Sequence, residues 1–320
     1  MDRTLNPPHA RAARTASPVL GRLIRVFSLV RYRFFLYAGL LPYLLGAAFA
    51  YRATGHFAAA LFWSGLLGII LAVIGVEAFN EYFDDRMGTD RVFNPQDIPP
   101  MSDLVLWTGV AGFAGAFGFG IYLALHAGWP VLVFAALGGM AAVFYVAPPI
   151  RWAYRGLGET MIALSYGPWM VLGSLYLLAH RLTGTAFAAS LVPGLLIMAL
   201  AVVNAIPDFH QDRLVGKRNL VVRLGRQRGV FLYLGLASTG LLIVPLGVVL
   251  GWFPPASLAA LLALPWLVAS ARAARTTYNT PRLFIPAIRA IVTCYAVAVG
   301  LFTLAIALTA IIQVLMGNGA

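Results

Sequence analysis

Two stretches of this chain gather side chains of the kind that grip hard cations and phosphates. The first reads Gly75-Val-Glu-Ala-Phe-Asn-Glu-Tyr-Phe-Asp-Asp-Arg-Met-Gly-Thr-Asp90. Its Glu77, Asn80, Glu81 and Asp84 fall three, four or seven residues apart, so a helix puts them on one face. The second reads Asn204-Ala-Ile-Pro-Asp-Phe-His-Gln-Asp-Arg-Leu-Val-Gly-Lys-Arg-Asn219, with Asn204, Asp208 and Asp212 spaced by four. Both run Asn, then Asp four residues on, then basic residues and a glycine, and an offset of 124 separates Asn80 from Asn204. Carboxylates crowded at a helix end repel one another and lose hydration, and a bound cation relieves both costs. Amide and carboxylate oxygens are hard ligands that suit Mg²⁺, which takes one or two carboxylates and completes its shell with water and substrate phosphate. The expected metal ligands are Asn80, Asp84, Asp208, Asp212 and Asp90, with a phosphorylated substrate. Lys217, Arg213 and Arg218 stand beside the second cluster to balance its charge, and Arg86 stands beside the first. Solvated helix ends paired with neighbouring arginines would account for one such cluster; two matching clusters favour a site.

A third segment, Phe144-Tyr-Val-Ala-Pro-Pro-Ile-Arg-Trp-Ala-Tyr-Arg-Gly-Leu-Gly-Glu159, is rich in helix breakers and aromatics. Pro148 and Pro149 stop a helix, Gly156 and Gly158 allow a tight re-entry, and Glu159 suits the positive start of the helix that follows. Tyr145, Trp152 and Tyr154 fit either an interfacial belt or contact with a cation.

The elements that position these groups are membrane helices. Hydrophobic residues make up 61% of the 320 positions and charged ones 11%, too apolar a balance for a water-soluble surface. A hydrocarbon layer of about 30 Å needs about 20 apolar residues per crossing. Nine windows qualify: Leu29–Tyr51, Phe57–Phe83, Leu104–His126, Trp129–Pro148, Leu157–Ala179, Ala186–Pro207, Gly229–Trp252, Ala256–Ala271 and Phe284–Leu315. The expected fold is all-α, a bundle of nine transmembrane helices around a central cavity open to the cytoplasmic face. Residues 1–28 form a basic cytoplasmic arm and residues 29–320 a single membrane-embedded domain. With nine crossings, 21 of the 23 Lys and Arg and all 11 Asp and Glu fall on one side, leaving Arg52 and Arg181 opposite. The positive-inside rule makes the rich side cytoplasmic, with the amino terminus there and the carboxyl terminus across an inner membrane. The +12 net charge is then spread over short loops by topology, and nucleic acid is excluded as a partner. The arm carries Arg3, Arg11, Arg14, Arg22 and Arg25, and it fits an anionic leaflet or an organellar transit peptide. Cys294, the one cysteine, can form no internal disulfide.

The three segments together resemble the UbiA superfamily of intramembrane prenyltransferases. Asn80-Glu-Tyr-Phe-Asp84 with Gly88 and Asp90 is similar to the first aspartate-rich motif in its MenA-type form, the branch that prenylates dihydroxynaphthoate. Asp208 to Asp212, Gly216-Lys217 and Leu220-Val-Val-Arg-Leu-Gly225 are similar to the second. The common form has an aspartate where Gly88 stands, which leaves Asp85 or Asp90 to supply that ligand. The usual Arg-Pro near the first helix is absent, with Arg31 and Arg33 in its place, and Asn94–Pro100 departs from the segment that often follows the first motif. The resemblance implies transfer of a polyprenyl group from its diphosphate to an aromatic acceptor in quinone biosynthesis. It implies Mg²⁺ between the two motifs, Asp84, Asp208, Asp212 and Lys217 as catalytic groups, and a pocket open to membrane lipid. Asn80, Asn204, Arg213, Arg218, Arg86, Tyr145 and Tyr154 would contact substrate. Other acceptors such as 4-hydroxybenzoate or a non-quinone lipid, an intramembrane terpene cyclase and a cation transporter are the alternatives.

Overall fold

The computed structural model describes residues 39–86 and 103–316. The basic arm, Arg31, Arg33, Gly88, Asp90 and Asn94–Pro100 lie outside the described residues. The described chain is all helical: α1 (Leu41–Thr54), α2 (Ala59–Arg86), α3 (Asp103–Ala127), α4 (Pro130–Val143), the short α5 (Trp152–Arg155), α6 (Gly158–Ala179), α7 (Gly184–Ala205), the short α8 (Phe209–Leu214) and α9 (Leu220–Leu224), α10 (Arg226–Val249), α11 (Pro255–Thr277) and α12 (Pro281–Leu315). Seven described segments, within α2 and in α3, α6, α7, α10, α11 and α12, are long and apolar enough to cross a bilayer. Each of the nine sequence windows holds a helix, but α1 and α4 are described over only 14 residues each. The predicted start of the first window at Leu29 lies outside the described residues. α4 stops at Val143, ahead of the predicted Pro148, because the chain turns at Phe144 before it reaches the prolines.

Local chemistry sets the ends. Thr183 caps α7 by accepting from the Ala186 amide, and Asn219 caps α9 by accepting from Val222. α1 ends at Gly55, whose φ of +66° lets its amide fold back onto the Tyr51 carbonyl. α11 opens as a 3₁₀ stretch over Pro255–Ala263, and Pro265 falls in the first turn of its α-helical part, where a proline needs no amide partner. The helix therefore runs to Thr277, six residues beyond the predicted Ala271.

Packing relies on close backbone approach, since lipid tails give apolar side chains little reason to leave them. A Cβ at Gly112 of α3 would lie 2.8 Å from the Leu71 carbonyl of α2, and one at Gly167 of α6 would lie 2.7 Å from Gly194 of α7. α1 is tied to α6 by Ser174, whose hydroxyl donates to the Tyr43 carbonyl at 2.8 Å, and to α2 by the Tyr43 hydroxyl, which donates to the Phe62 carbonyl at 2.7 Å. α7 is the most deeply buried span, with α6, α10 and α12 against it. Outward, Trp63, Trp107, Leu125, Val249 and Leu315 present large apolar side chains to the surroundings, the surface a bilayer requires.

Candidate active site

One cavity of about 1770 Å³ opens among α1, α2, α3, α4, α6, α7 and α12. Its polar lining is concentrated at one end. α2 contributes Gly65, Gly68, Ile69, Ala72, Val73 and Val76 and then Glu77, Asn80 and Glu81. The wall thus changes from apolar to polar along a helix that rises about 22 Å from Gly65 to Asn80. The expected common face of Glu77, Asn80 and Glu81 is real, and α2 is one unbroken helix through Arg86. Asp84 lies on the same helix one turn beyond Asn80, with its side chain outside those described. Across the cavity α7 contributes Asn204, and the α4–α5 link contributes Tyr145. A short π-helical stretch of α6 around Pro168 adds Ser165, Tyr166 and Trp169. The structure therefore brings Asn80, Asn204 and Tyr145 to one cavity.

The second motif is not the continuous helix face that a spacing of four implies. α7 ends at Ala205, the chain turns through Ile206–Asp208, and α8 restarts at Phe209. Pro207 lacks the amide that would continue the ladder. Asn204 faces the cavity, whereas Asp208 and Asp212 do not form its wall. Asp208 is solvent-accessible, yet the protein crowded around it raises its pKa above the usual carboxylate range by desolvation, with Lys217 pulling the other way. Asp212 is buried and accepts a 2.6 Å hydrogen bond from the Asn219 side-chain amide, and the Lys217 ammonium lies 3.9 Å from its other oxygen. The Lys217 amide also donates to the Asp212 carbonyl. Asp212 and Lys217 thus hold the α8–α9 loop in shape.

The third segment clasps this loop. Buried Glu159, in the first turn of α6, accepts from the Leu220 amide at 2.9 Å. Arg223 donates to the Arg218 carbonyl at 2.8 Å and to the Arg155 carbonyl at 2.6 Å. Tyr154 lies under the Arg151 guanidinium at 5.6 Å and is not part of the cavity wall. Arg86 likewise turns away: it bonds Asp103 of α3 at 3.1 Å and covers the Tyr82 ring. Arg213 and Arg218 are exposed near the loop and outside the cavity wall.

Among the described residues, no three His, Cys, Asp or Glu side chains converge as a metal group, and the Asp84 and Asp90 side chains are not among those described. The test of fit for Mg²⁺ falls on Asn80. Its Oδ1 is buried and has no hydrogen-bond partner among the described residues, and the residue lines the cavity. A hard amide oxygen left unsatisfied on the motif helix suits Mg²⁺. Sequence reasoning placed Glu77 and Glu81 on this face without giving them a role in the site. It missed Tyr166 and Ser165 altogether, because a polar residue inside an apolar window carries no sign of which way it points.

The described chain is a helical membrane bundle in which Asn80 and Asn204, one from each motif, line one largely apolar cavity. Residues 39–287 match the model of the UbiA prenyltransferase family, and the chain belongs to that family. It is a UbiA-family prenyltransferase. The chain is 33% identical over 218 residues to the 1,4-dihydroxy-2-naphthoate octaprenyltransferase of Mycobacterium tuberculosis, covering 64% of this chain and 74% of that one. It is 27% identical to the 2-carboxy-1,4-naphthoquinone phytyltransferase of Synechocystis, covering 71% and 75% respectively. The fold is shared with a UbiA homologue from Archaeoglobus fulgidus solved with GPP and Mg²⁺, at a TM-score of 0.59 and 17% identity over 89% of this chain and 99% of that one. A UbiA homologue from Aeropyrum pernix gives a TM-score of 0.62 at 15% identity, over 83% of this chain and 96% of that one.

Proposed function

We propose that this prenyltransferase transfers a polyprenyl group from a polyprenyl diphosphate to a hydroxylated aromatic acceptor of the 1,4-dihydroxy-2-naphthoate type, in menaquinone-like quinone synthesis. The observation that carries the reading is the shared cavity: Asn80 and Asn204, from the two motif helices, line its polar end, and an apolar wall runs on along α2. An isoprenoid tail suits that wall, and a diphosphate suits the polar end. The relatives' names agree on naphthoate-derived acceptors while their donors differ, octaprenyl in one and phytyl in another.

Asn80, Asp84, Asp208 and Asp212, with Asp90 in reserve, would hold Mg²⁺, and the bound ion would supply the positive charge that makes diphosphate a good leaving group. The protein's own groups do the rest. Lys217, Arg213 and Arg218 add positive charge on the side where the diphosphate departs, and they favour the products of C–O cleavage over the intact donor. The face of Tyr145 stabilises the allylic cation left in the cavity. The apolar wall limits access of water, so the acceptor's ring carbon captures the cation before hydrolysis does, and the ring regains its aromaticity by losing the proton, or the carboxylate as CO2, from that carbon. The site faces the cytoplasm across nine crossings, with the amino-terminal arm on that side.

Membranes holding the protein, incubated with labelled polyprenyl diphosphates and a panel of aromatic acids, should yield a prenylated 1,4-dihydroxy-2-naphthoate product by mass. EDTA should abolish the product and added Mg²⁺ restore it. Prenylation of 4-hydroxybenzoate alone would overturn the acceptor assignment, and release of a cyclised hydrocarbon without any acceptor would overturn the reaction class.

A further inference from the structure

A second, smaller cavity of about 490 Å³ lies at the end of the bundle that carries the second motif, and no residue lines both it and the transfer cavity. Phe209 and His210 of α8, the start of α10 and the α11–α12 turn at Tyr278 and Asn279 enclose it. Its charge is one-sided: Arg226 and Arg228 line it, and none of its described lining residues is acidic. Arg226 is fixed in the wall. Its Nη1 donates to the Asn279 carbonyl at 3.4 Å, its guanidinium lies over the Phe209 ring at 5.4 Å from the centroid, and its Nε is buried with no hydrogen-bond partner among the described residues. The side chains of Arg228 and His210 are exposed and make no hydrogen bond or ion pair among the described residues. Both arginines also stand in the first turn of a 24-residue helix, whose positive end disfavours a cation. An anion seated in the cavity offsets both charges.

The face of α10 that begins at Arg228 distinguishes a lipid from a soluble anion. Arg228, Phe231, Gly235, Leu242, Leu246 and Val249 follow one another at three, four or seven residues and so share one helix face. Beyond the arginine that face is bare and apolar: Phe231, Leu242, Leu246 and Val249 are all exposed, and a Cβ on Gly235 would meet nothing within 4 Å. A soluble anion has no use for such a strip. A phospholipid matches both parts, with its phosphate at the arginines and an acyl chain along α10. We propose that an anionic phospholipid of the surrounding leaflet seats its phosphate headgroup in this cavity and braces α8 against α10 and the α11–α12 turn. Because α8 carries Asp212 and directly follows Asp208, the bound lipid steadies the second motif from outside the transfer cavity.

The test uses the full-length protein in vesicles of phosphatidylcholine alone or mixed with phosphatidylglycerol. Its readouts are lipid retention, melting and hydrogen exchange, none of which needs prenyl transfer. Wild type should retain phosphatidylglycerol over phosphatidylcholine by native mass spectrometry, melt a few degrees higher in the mixed vesicles, and exchange the amides of Phe209–Leu214 more slowly there. Arg226→Ala combined with Arg228→Ala should lower phosphatidylglycerol affinity at least about tenfold and lose both responses. Arg226→Lys with Arg228→Lys keeps the charges and should keep most of the melting shift. Arg272→Ala with Arg275→Ala removes equal charge from exposed positions of α11 and should respond like wild type. A wild type with the same melting point and exchange in both vesicles overturns the proposal, whether or not any variant folds. So does an equal loss of response in the Arg272 and Arg275 variant, which leaves only a general attraction between the leaflet and positive charge. Inorganic phosphate that reproduces the full response in phosphatidylcholine vesicles makes the occupant a free anion and removes the lipid.

Discussion

At the scale of single residues, the two aspartates of the second motif sit in different surroundings. Asp212 is buried, bonded to Asn219 and close to Lys217. Asn219 in turn caps α9. Asp208 is the accessible carboxylate, and desolvation raises its pKa against the pull of Lys217. A carboxyl that holds its proton more tightly folded than unfolded lends stability below the ordinary carboxylate pKa of about 3.9, and that stability is lost as pH rises through its folded value. In divalent-free buffer, Asp208→Asn should therefore melt at or slightly above wild type at pH 7, with the difference closing toward pH 4. Adding Mg²⁺ and a polyprenyl diphosphate should raise the melting point of wild type and leave the variant's unmoved; a variant that responds like wild type removes Asp208 from the site. The motif spacing marked Asp208 and Asp212 as equivalents. The sequence holds no signal that the first stands accessible while the second is enclosed by its own loop.

At the scale of elements, the joint between the α4–α6 link and the α8–α9 loop sets the shape of the second motif. Glu159 holds Leu220, and Arg223 holds the carbonyls of Arg155 and Arg218. Gly156 sits under that arginine with φ of +74°, and a Cβ there would meet the Arg223 side chain and come within 3.0 Å of the Arg218 carbonyl. Gly156→Ala should cost about 1 kcal/mol or more in stability and lower turnover more than it changes either KM, as measured by thermal melts and steady-state kinetics. Gly139 of α4 is the opposite case: it lines the cavity, and an added Cβ meets nothing within 4 Å. Leucine favours a helix over glycine by about 1 kcal/mol, so Gly139→Leu should fold and fill cavity space. Its kcat/KM should drop about tenfold for donors of eight isoprene units and stay within about twofold for donors of three or four; equal losses along that series would place the tail elsewhere. The glycines of the link were legible as re-entry points, but the grip on Arg223 was not, because it spans 68 residues of chain.

At the scale of the whole molecule, charge and burial point in one direction. In the proposed nine-crossing arrangement, every Lys and Arg other than Arg52 and Arg181 belongs to the motif-bearing side. Leu214 of α8 and Leu182, just before α7, are both exposed and lie at opposite ends of α7. Cys294 is buried, so introduced cysteines can be read against a quiet background. An impermeant maleimide added to intact cells should label Leu182→Cys and spare Leu214→Cys until the membrane is opened; the reverse pattern would invert the proposed orientation. By itself the amino-acid sequence determined the helical, membrane-embedded class, where its helices run and which residue types carry the chemistry, because hydropathy and i, i+4 spacing are local properties. Only the tertiary structure decided that Asn80 and Asn204 line one cavity, that Glu77 and Tyr166 line it with them, and that Pro207 splits the second motif. Those facts depend on how helices rotate and approach in the bundle, and that is set by close contacts such as Gly112 on Leu71 and Gly167 on Gly194, between residues far apart in the chain or on different helices.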